Sequence, residues 1–567
     1  MGFFGVLEDH KLPHVPGTVI LNEQSAHSED VTAGLKHGKG RNSHIVLVPQ
    51  PSEDPNDPLN WSQGKKLAIM IIVGFGSILY ASTVGPLLNA SLLVLSIDFN
   101  KSIGDITLIS GYQLLVVGGS GPFVCAAGRK WGKRPMLLLS ALLGLLGSVI
   151  VSATNSYTGL LAGRIIQGGC TSAFESLVVA MIGDLYFVHE RGIYMGWIQF
   201  ILGCSSNFSS VVCGAVTNHL GWKYLFHFMV LCIGIQIILM FLFCPETTYI
   251  RDRRYDIDEL ADENLANLAA VEARHERALD LDPHGDGEKG GAGLEKVATV
   301  DTMSSSRRRT YRKKTFWQST AVFTGTYSHD PWLKLLLAPF AVCTNLVVLW
   351  CVICTGTVVA MYVAQAYVLA QIFSYPPYNL SPEGVGYLSL GPFVGGTLGS
   401  LAMGATIDPV IRWASKRNKG IYEPEYRLIP MVGGLLAGTG LVVFGVLCQD
   451  LRSYYATATA HGLALFGILC IAVPASSYIL DAYREMGNEV FIANMVFKNF
   501  VFYSLSYFVN DWTAKSGPKV VFGTFGAIAY GFMLTAPLVY VFGKRYRSFW
   551  ARHNVVEKLG IKTHAEI

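Results

Sequence analysis

Charged side chains are scarce in this chain of 567 residues. Asp, Glu, Lys and Arg together make up 15% of the sequence, whereas hydrophobic residues make up 51% and the mean hydropathy is +0.38. In an ordinary soluble domain, about 25% of the residues are charged. The composition therefore predicts a protein that resides in a lipid bilayer.

Motifs that indicate other classes of protein are missing. No G-x-x-x-x-G-K-[ST] sequence occurs and no segment is large enough for a nucleotide-binding domain, which argues against an ATP-driven pump. Most of the 14 histidines lie in tails and loops, so the clustered ligands of a membrane enzyme are absent. Basic residues form no stripe with interleaved aromatics, which disfavours nucleic acid binding. We expect neither catalysis nor a cofactor.

Cysteines are present, but their placement argues against disulfides and metal sites. All 11 lie in or at the ends of apolar runs. Cys351 and Cys354 form a C-x-x-C, yet no further Cys or His stands beside them, and a zinc site needs three or four protein ligands. We therefore expect neither a disulfide framework nor a bound metal.

One long hydrophilic stretch interrupts the apolar sequence. It begins with an acid-rich segment that predicts an amphipathic or solvated helix, continues through a Gly-rich segment and ends in a basic cluster at residues 307–314. No core can form from this composition. About six apolar segments long enough to span a bilayer lie on each side of it. The stretch therefore joins two bundles.

These observations predict an all-α membrane protein with twelve transmembrane helices. The first 65 residues contain no apolar core of the kind a cleavable signal peptide needs. We expect a cytosolic tail, a six-helix bundle, a partly disordered cytosolic loop, a second six-helix bundle and a second cytosolic tail, at residues 1–65, 66–244, 245–334, 335–543 and 544–567.

The first apolar run of the second half, residues 335–372, is too long for one perpendicular helix. We interpret it as a single tilted span with an extension beyond the membrane, because no turn signal or charge divides it. If this run contained two spans, the orientation of every later helix across the membrane would be inverted.

Loop charge predicts the orientation of the helices. The connections between spans two and three, four and five, eight and nine, and ten and eleven are rich in Lys and Arg, and the alternate connections are poor in them. The positive-inside rule makes the first set cytosolic. Both termini and the central loop are then cytosolic as well.

Several motifs resemble those of a known family. Gly132, Lys133 and Arg134 in GRKWGKRP resemble the end of the signature loop of the major facilitator superfamily, and RIIQG, which contains Arg164 and Gln167, resembles its R-x-x-Q-G motif. DPNDPLNWS, PETTYIRD, GIYEPEYRL and YILDAYREMGNEVFIANMVFKN are similar to fungal drug:proton antiporters, especially the branch of histidinol and polyamine transporters.

This resemblance covers nearly the whole chain. It implies a monomeric secondary transporter in the plasma membrane that moves a small organic cation by alternating access, coupled to protons. Two departures leave the direction of transport open. Arg129 stands where the signature loop has an acid, and Asn207 and Phe208 stand near the place of a Gly-Pro pair in the fifth span. Import, drug or metabolite efflux and a non-transporting sensor stay as alternatives.

Ionisable residues inside the predicted spans are the candidate pathway residues. A charge at a helix centre costs about 2.5–3.5 kcal/mol, so such residues usually face a cavity or a partner. Arg164 and Glu175 share one helix face, about 16 Å apart along the axis. Glu175 is the candidate for proton or cation handling, since a carboxyl shielded from water can exchange a proton; the alternative is a hydrogen-bonded structural acid.

Two cationic residues have more than one interpretation. Arg164 can brace unwound backbone as readily as it can steer a proton, and the resemblance implies proton coupling. Lys498 is either a counter-charge to an acid on another helix or a side chain that reaches the cytosolic interface.

The seventh span supplies candidate substrate contacts. Tyr362, Gln365 and Tyr367 lie where the resemblance places a substrate cavity, with Asn345 one face further out, and an aromatic cage suits a cation. Packing is the alternative for any single tyrosine. Asp481, at the cytosolic end of the tenth span, is a candidate gate or cap.

The predicted cytosolic gating loops complete the set of candidates. They contain Arg129, Gly132, Lys133, Arg134 and Asp481.

Overall fold

The computed structural model of the protein describes residues 5–7, 15–20, 51–52, 54–249, 313–418, 421–483 and 486–560. Eleven helices in this part of the chain are long and apolar enough to cross a membrane. A further helix of 20 residues, Gly487–Ser506, is too polar to qualify by composition because it carries charged and Asn side chains. With it, the described residues contain twelve spanning helices in two bundles of six.

The spanning helices are labelled in chain order. They are α1 (Gln63–Thr83), α2 (Ile103–Trp131), α3 (Lys133–Ala153), α4 (Tyr157–Leu185), α5 (Val188–His219), α6 (Trp222–Phe243), α7 (Leu346–Phe373), α8 (Pro382–Arg417), α9 (Pro424–Gln449), α10 (Tyr454–Ala482), α11 (Gly487–Ser506) and α12 (Pro518–Arg552). We call the end predicted to be cytosolic the inner end, and the opposite end the outer end.

Side-chain caps fix where several of these helices begin. Ser62 and Ser156 accept hydrogen bonds from backbone N–H groups in the first turns of α1 and α4. Ser102 and Asp105 form a capping box at the start of α2. Each cap satisfies donors that the helix itself cannot pair.

The run 335–372 is divided. A short helix, Trp332–Ala341, and a 3-10 turn, Val342–Thr344, precede α7. Asn345 is extended and fully buried, and its Oδ1 accepts from two backbone N–H groups in the first turn of α7, at 3.0 and 3.2 Å. The run contains one spanning helix, as predicted. The expectation that nothing divides it is wrong, because Asn345 is the turn signal: it caps α7.

The first spanning helix is irregular. Its α-helical part ends at Gly76 and continues as a π-helix over Ser77–Thr83, and a 3-10 segment, Pro86–Ser91, follows. Pro86 has no N–H to donate, so one backbone hydrogen bond of a regular helix is lost at this position. The carbonyl oxygens of Val84 and Gly85, at this change of geometry, accept hydrogen bonds from side chains of other helices.

Glycines allow the Gly-rich eighth span, α8, to approach its neighbouring helices closely. A Cβ atom at Gly391 or Gly395 would lie 2.0 or 2.1 Å from a backbone oxygen of α10. Between the bundles, a Cβ at Gly214 of α5 would lie 2.6 Å from the carbonyl oxygen of Pro382 on α8. Small residues at such contacts let helix backbones pack directly.

The described part of the amino-terminal tail docks on the second bundle. Strand β1 (Val19–Ile20) pairs antiparallel with β2 (Ile421–Tyr422), between α8 and α9. Val6 is buried in an apolar cluster with residues of α8, α9 and α10. Arg547 of α12 donates to the carbonyl oxygen of Pro16 and bridges to Glu423 and Glu425.

Both described flanks of the central loop are attached to the turn between α2 and α3. Glu246 accepts hydrogen bonds from the backbone N–H groups of Lys133 and Arg134, at 3.1 and 3.0 Å. The N–H of Tyr327 donates to the carbonyl oxygen of Lys130 at 2.8 Å. The predicted acid-rich helix, the Gly-rich segment and most of the basic cluster lie outside the described residues.

Candidate transport pathway between the bundles

An ion pair joins the two bundles midway along their helices. Nζ of Lys498, on α11, donates to Oε1 of Glu175, on α4. The side chains of Lys498 and Glu175 are 25% and 14% exposed, so the pair is largely buried but keeps some contact with solvent. The structure thus places Lys498 as the counter-charge of Glu175, and the two residues lie on different bundles.

A second ion pair joins the bundles at the inner end. Nη1 of Arg129, at the end of α2, lies 3.0 Å from Oε1 of Glu489, at the start of α11. Both residues line a cleft between α2, α4, α11 and the short helix before α7. The cleft reaches Ser176, the residue after Glu175. The arginine that departs from the signature loop therefore has an acid of its own, across the interface.

The rest of the signature loop holds the first bundle together at its inner end. Lys133 pairs with Asp184 of α4 and donates to the carbonyl oxygen of Ala180 at 3.1 Å. Arg134 donates to four carbonyl oxygens, two at the end of α6 and two in the segment before α7, among them those of Phe241 and Thr320 at 2.8 Å.

Gly132 is required by its backbone. Its φ is +99°, a conformation that L side chains rarely adopt. A Cβ there would also lie 2.3 Å from Oε2 of Glu246. These loop residues therefore form a rigid turn on which the central loop is anchored. The side chain of Arg129, just before this turn, reaches the other bundle through its bond to Glu489.

Arg164 is fully buried and binds the irregular part of the first span. Its Nη1 donates to the carbonyl oxygen of Val84 at 2.6 Å and to Oε1 of Gln167 at 3.2 Å, and its Nη2 donates to the carbonyl oxygen of Gly85 at 3.2 Å. The hydroxyl of Tyr367, on α7, donates to the same Gly85 oxygen at 2.9 Å. Arg164 thus braces unwound backbone at a point where the two bundles meet.

Tyr362 also reaches across the interface. Its hydroxyl donates to Oδ1 of Asn207 on α5 at 2.5 Å. The ring of Tyr362 packs against the buried ring of His461, with centroids 5.2 Å apart. Asn207, which departs from the antiporter signature, therefore has a structural partner in the second bundle.

Two buried amides lack partners among the described residues. Gln365 on α7 and Gln113 on α2 are fully buried, and neither the Oε1 nor the Nε2 of either residue has a hydrogen-bond partner there. Leaving such a group unpaired costs about 1–3 kcal/mol.

Asp481 lies within the second bundle. It pairs with Arg427 at the start of α9 and accepts a hydrogen bond from the hydroxyl of Tyr422. These contacts connect the inner ends of α9 and α10 rather than the two bundles.

Sequence reasoning missed three residues that make these contacts, two of them between the bundles and one within the first bundle. Glu489 follows only two residues after Gly487, where α11 begins, so it looks like an acid in a helix first turn. Asp184 looks like an acid at a helix end. Asn207 was noted only as a departure from a motif. Their partners lie 360, 51 and 155 residues away, and no local pattern reveals such pairs.

Two six-helix bundles that meet across an interface are the architecture of many secondary membrane transporters. The family of this chain follows from the sequence comparison. The chain belongs to the Major Facilitator Superfamily, whose family model matches residues 68–509. The family and the relatives of this chain are transporters, not enzymes.

Relatives match over nearly the whole chain. An uncharacterised MFS-type transporter of Schizosaccharomyces pombe is 24% identical, with 96% of this chain and 94% of that protein covered. Protein HOL1 of Saccharomyces cerevisiae is 23% identical, with 97% and 98% covered. Efflux pump dotC of Dothistroma septosporum is 25% identical over 39% of this chain and 38% of its own length.

Solved transporters share the fold. A partially occluded, inward-open structure of the xylose transporter XylE from E. coli has a TM-score of 0.53 and 12% identity, covering 83% of this chain and 98% of that one. An auto-inhibited peptide transporter of the POT family has a TM-score of 0.53 and 13% identity, covering 84% and 96%. At these identities the likeness establishes the fold alone.

Proposed function

We propose that this protein is a proton-coupled secondary transporter of a small organic cation. The ion pair between Glu175 and Lys498 carries the proposal, because it joins the bundles midway along their helices. In alternating access the bundles rock against each other around a central site. A charge pair at that site must be released or exchanged in each cycle.

Glu175 is the proposed site of coupling. A proton on its carboxylate removes the charge that attracts Lys498, and a bound cation replaces that attraction. Either event biases the equilibrium between inward-open and outward-open arrangements, since a ligand shifts a population by its differential affinity. The chain carries no ATP-binding motif, so a proton gradient is the proposed source of energy.

Neutral side chains around this level would bind the rest of the solute. Gln365 and Gln113 offer unpaired donors and acceptors. Tyr362 offers an aromatic face for a cation, and its hydroxyl is held by Asn207. Arg164 and Gln167 would keep the backbone near Gly85 in place while the solute passes.

The inner end is the proposed gate. The pair between Arg129 and Glu489 would close it, and breaking that pair would open it. Gly132, Lys133 and Arg134 would form the rigid turn behind Arg129. Asp481 would hold the inner ends of α9 and α10 in register as the second bundle moves.

The resemblance of the motifs to histidinol and polyamine transporters supports an organic cation as the solute, and similarity to an MFS-type transporter over nearly the full length supports transport itself. The match to an efflux pump covers little more than a third of the chain, so drug or metabolite export is the second candidate. We propose a single chain in the plasma membrane as the transport unit.

Reconstitution tests the proposal. The purified full chain in proteoliposomes would be given radiolabelled organic amines, including polyamines, under pH gradients of either sign. We expect accumulation above that of protein-free liposomes, which correct for passive partitioning of weak bases, and the effective sign distinguishes antiport from symport. Binding of amines without any flux would identify a sensor and contradict the proposal.

A further inference from the structure

The ammonium group of Lys498 is bound to the Glu175 carboxylate, the group that a cationic solute would also bind. Acids contact the opposite bundle at three levels: Glu383 lies 3.1 Å from His219 at the outer end, Glu489 lies at the inner end, and Glu175 lies between them. An organic cation at the middle level therefore meets Glu175 with the ammonium group of Lys498 already bound.

The environment of this pair differs from that of a purely structural ion pair. In the bridge between Arg547 and Glu425, the side chains are 1% and 0% exposed. In the pair of Lys498 and Glu175 they are 25% and 14% exposed, and the inner cleft begins one residue away. Lys498 also swings on a flexible four-carbon stem, whereas a guanidinium fork is fixed and bidentate. The pair is therefore open to exchange.

We propose that Lys498 is a resident competitor of the solute. Its ammonium binds Glu175 when the site is empty, the ammonium of the solute replaces it, and Lys498 returns when the solute leaves. This inference rests on the proposed transport of an organic cation. It names a headgroup: a primary or secondary ammonium, whose N–H groups replace the charged hydrogen bond that Lys498 makes. A quaternary ammonium has no N–H and cannot replace it.

The charged residues of the adjoining cleft already have partners of opposite charge. Arg129, Lys133 and Glu489 line the adjoining cleft, on α2, α3 and α11. Arg129 is matched by Glu489, and Lys133 is matched by an acid of α4. Exchange of one ammonium for another at Glu175 leaves these neighbouring pairs in place, and the solute adds one positive charge that they do not neutralise.

Binding measurements on two opposite variants test the proposal. Calorimetry would use the full chain in nanodiscs at constant pH, with 1,4-diaminobutane as the probe. Lys498→Met removes the competitor, so affinity should rise about tenfold, because the binding-competent fraction is no longer limited by the closed pair. Lys498→Arg strengthens the competitor by bidentate pairing, so affinity should fall.

Controls separate competition from damage. Lys515→Met, at an exposed position outside the site, should bind as the parent does. The fully N-methylated analogue of 1,4-diaminobutane should bind the parent protein weakly. Lys498→Met should raise the affinity for this analogue less than it raises the affinity for 1,4-diaminobutane.

Every outcome decides between competition and a structural role. If Lys498→Met leaves affinity unchanged or weaker, Lys498 is structural and the proposal is overturned. If that variant does not fold, Lys498→Arg decides, and an affinity equal to that of the parent overturns it. If the parent protein transports the diamine but the variants do not show the expected affinities, only the role of Lys498 is contradicted. If the parent protein neither binds nor transports any amine, the proposed function is overturned as well.

Discussion

At the scale of the residue, the contacts between bundles are made by side chains that lie far apart in the sequence. Lys498 and Glu175 are 323 positions apart, and Arg129 and Glu489 are 360 apart. Each pair consists of one residue from each bundle, and both pairs involve α11. A motion that separates the bundles along α11 must therefore break both bonds.

The pair of Arg129 and Glu489 can be tested by reversing it. Arg129→Glu places two acids together at the inner end and should lower transport strongly. Arg129→Glu combined with Glu489→Arg should recover much of it, with a coupling energy of about 0.5–3 kcal/mol, as expected for residues in direct contact. Initial rates at matched membrane abundance measure this. A double variant as inactive as the single one would show that the two residues act separately.

Much of this residue-scale picture was accessible from the sequence, but not its pairing. Periodicity placed Arg164 and Glu175 on one helix face, and charge inside an apolar run identified Lys498. Which acid Lys498 meets depends on how α4 and α11 pack, and neither helix carries a local signal for that. Arg164 had two open interpretations, and its bonds to the Val84 and Gly85 carbonyl oxygens are those of a backbone brace.

At the scale of the element, caps decide where α7 begins. Hydropathy treats 335–372 as one run because it averages over Asn345, a single polar residue among apolar ones. The side chain of Asn345 supplies the missing acceptor for the first turn of α7, so the chain bends there. Sequence patterns therefore found the span but not its first residue.

Replacing Asn345 tests this cap. Asn345→Ala should lower stability by about 1 kcal/mol, the typical loss for an N-cap, and should lower the melting temperature of the purified protein. Asn345→Asp keeps an acceptor at the same position and should retain most of the stability. If both variants melt as the parent does, the cap does not fix the start of α7.

The docked tail offers a second test at this scale. Arg547 serves both the tail and the second bundle, because it bonds to Pro16 and also bridges Glu423 and Glu425. Arg547→Met leaves buried acids without their main partner, which costs about 3–5 kcal/mol. Deleting residues 1–20 leaves that bridge in place, so it should lower the melting temperature less. If the deletion lowered the melting temperature more than Arg547→Met, the tail rather than the bridge would stabilise the bundle.

At the scale of the whole molecule, the orientation in the membrane rests on loop charge. This orientation can be tested by measuring which side of the membrane gives a thiol reagent access to the two ends of α8. Asn379 is exposed in the turn between α7 and α8, and Lys416 is exposed near the opposite end of α8. A cysteine at 379 should react with an impermeant thiol reagent on intact cells, and one at 416 only after permeabilisation. Most native cysteines are buried, which keeps the background low. The opposite labelling pattern would reverse the inner and outer ends.

The coupling of transport to protons at Glu175 is tested most directly by one substitution, Glu175→Gln. The variant keeps the size and hydrogen-bonding capacity of the side chain and removes its charge and its proton. Accumulation of a transported amine would be measured in proteoliposomes under an imposed pH gradient, with Glu557→Gln, at an exposed position near the carboxyl terminus, as the matched control. We predict that Glu175→Gln loses gradient-driven accumulation while the control retains it. Accumulation at the parental level with the parental pH dependence would show that Glu175 is structural and would contradict the proposed coupling.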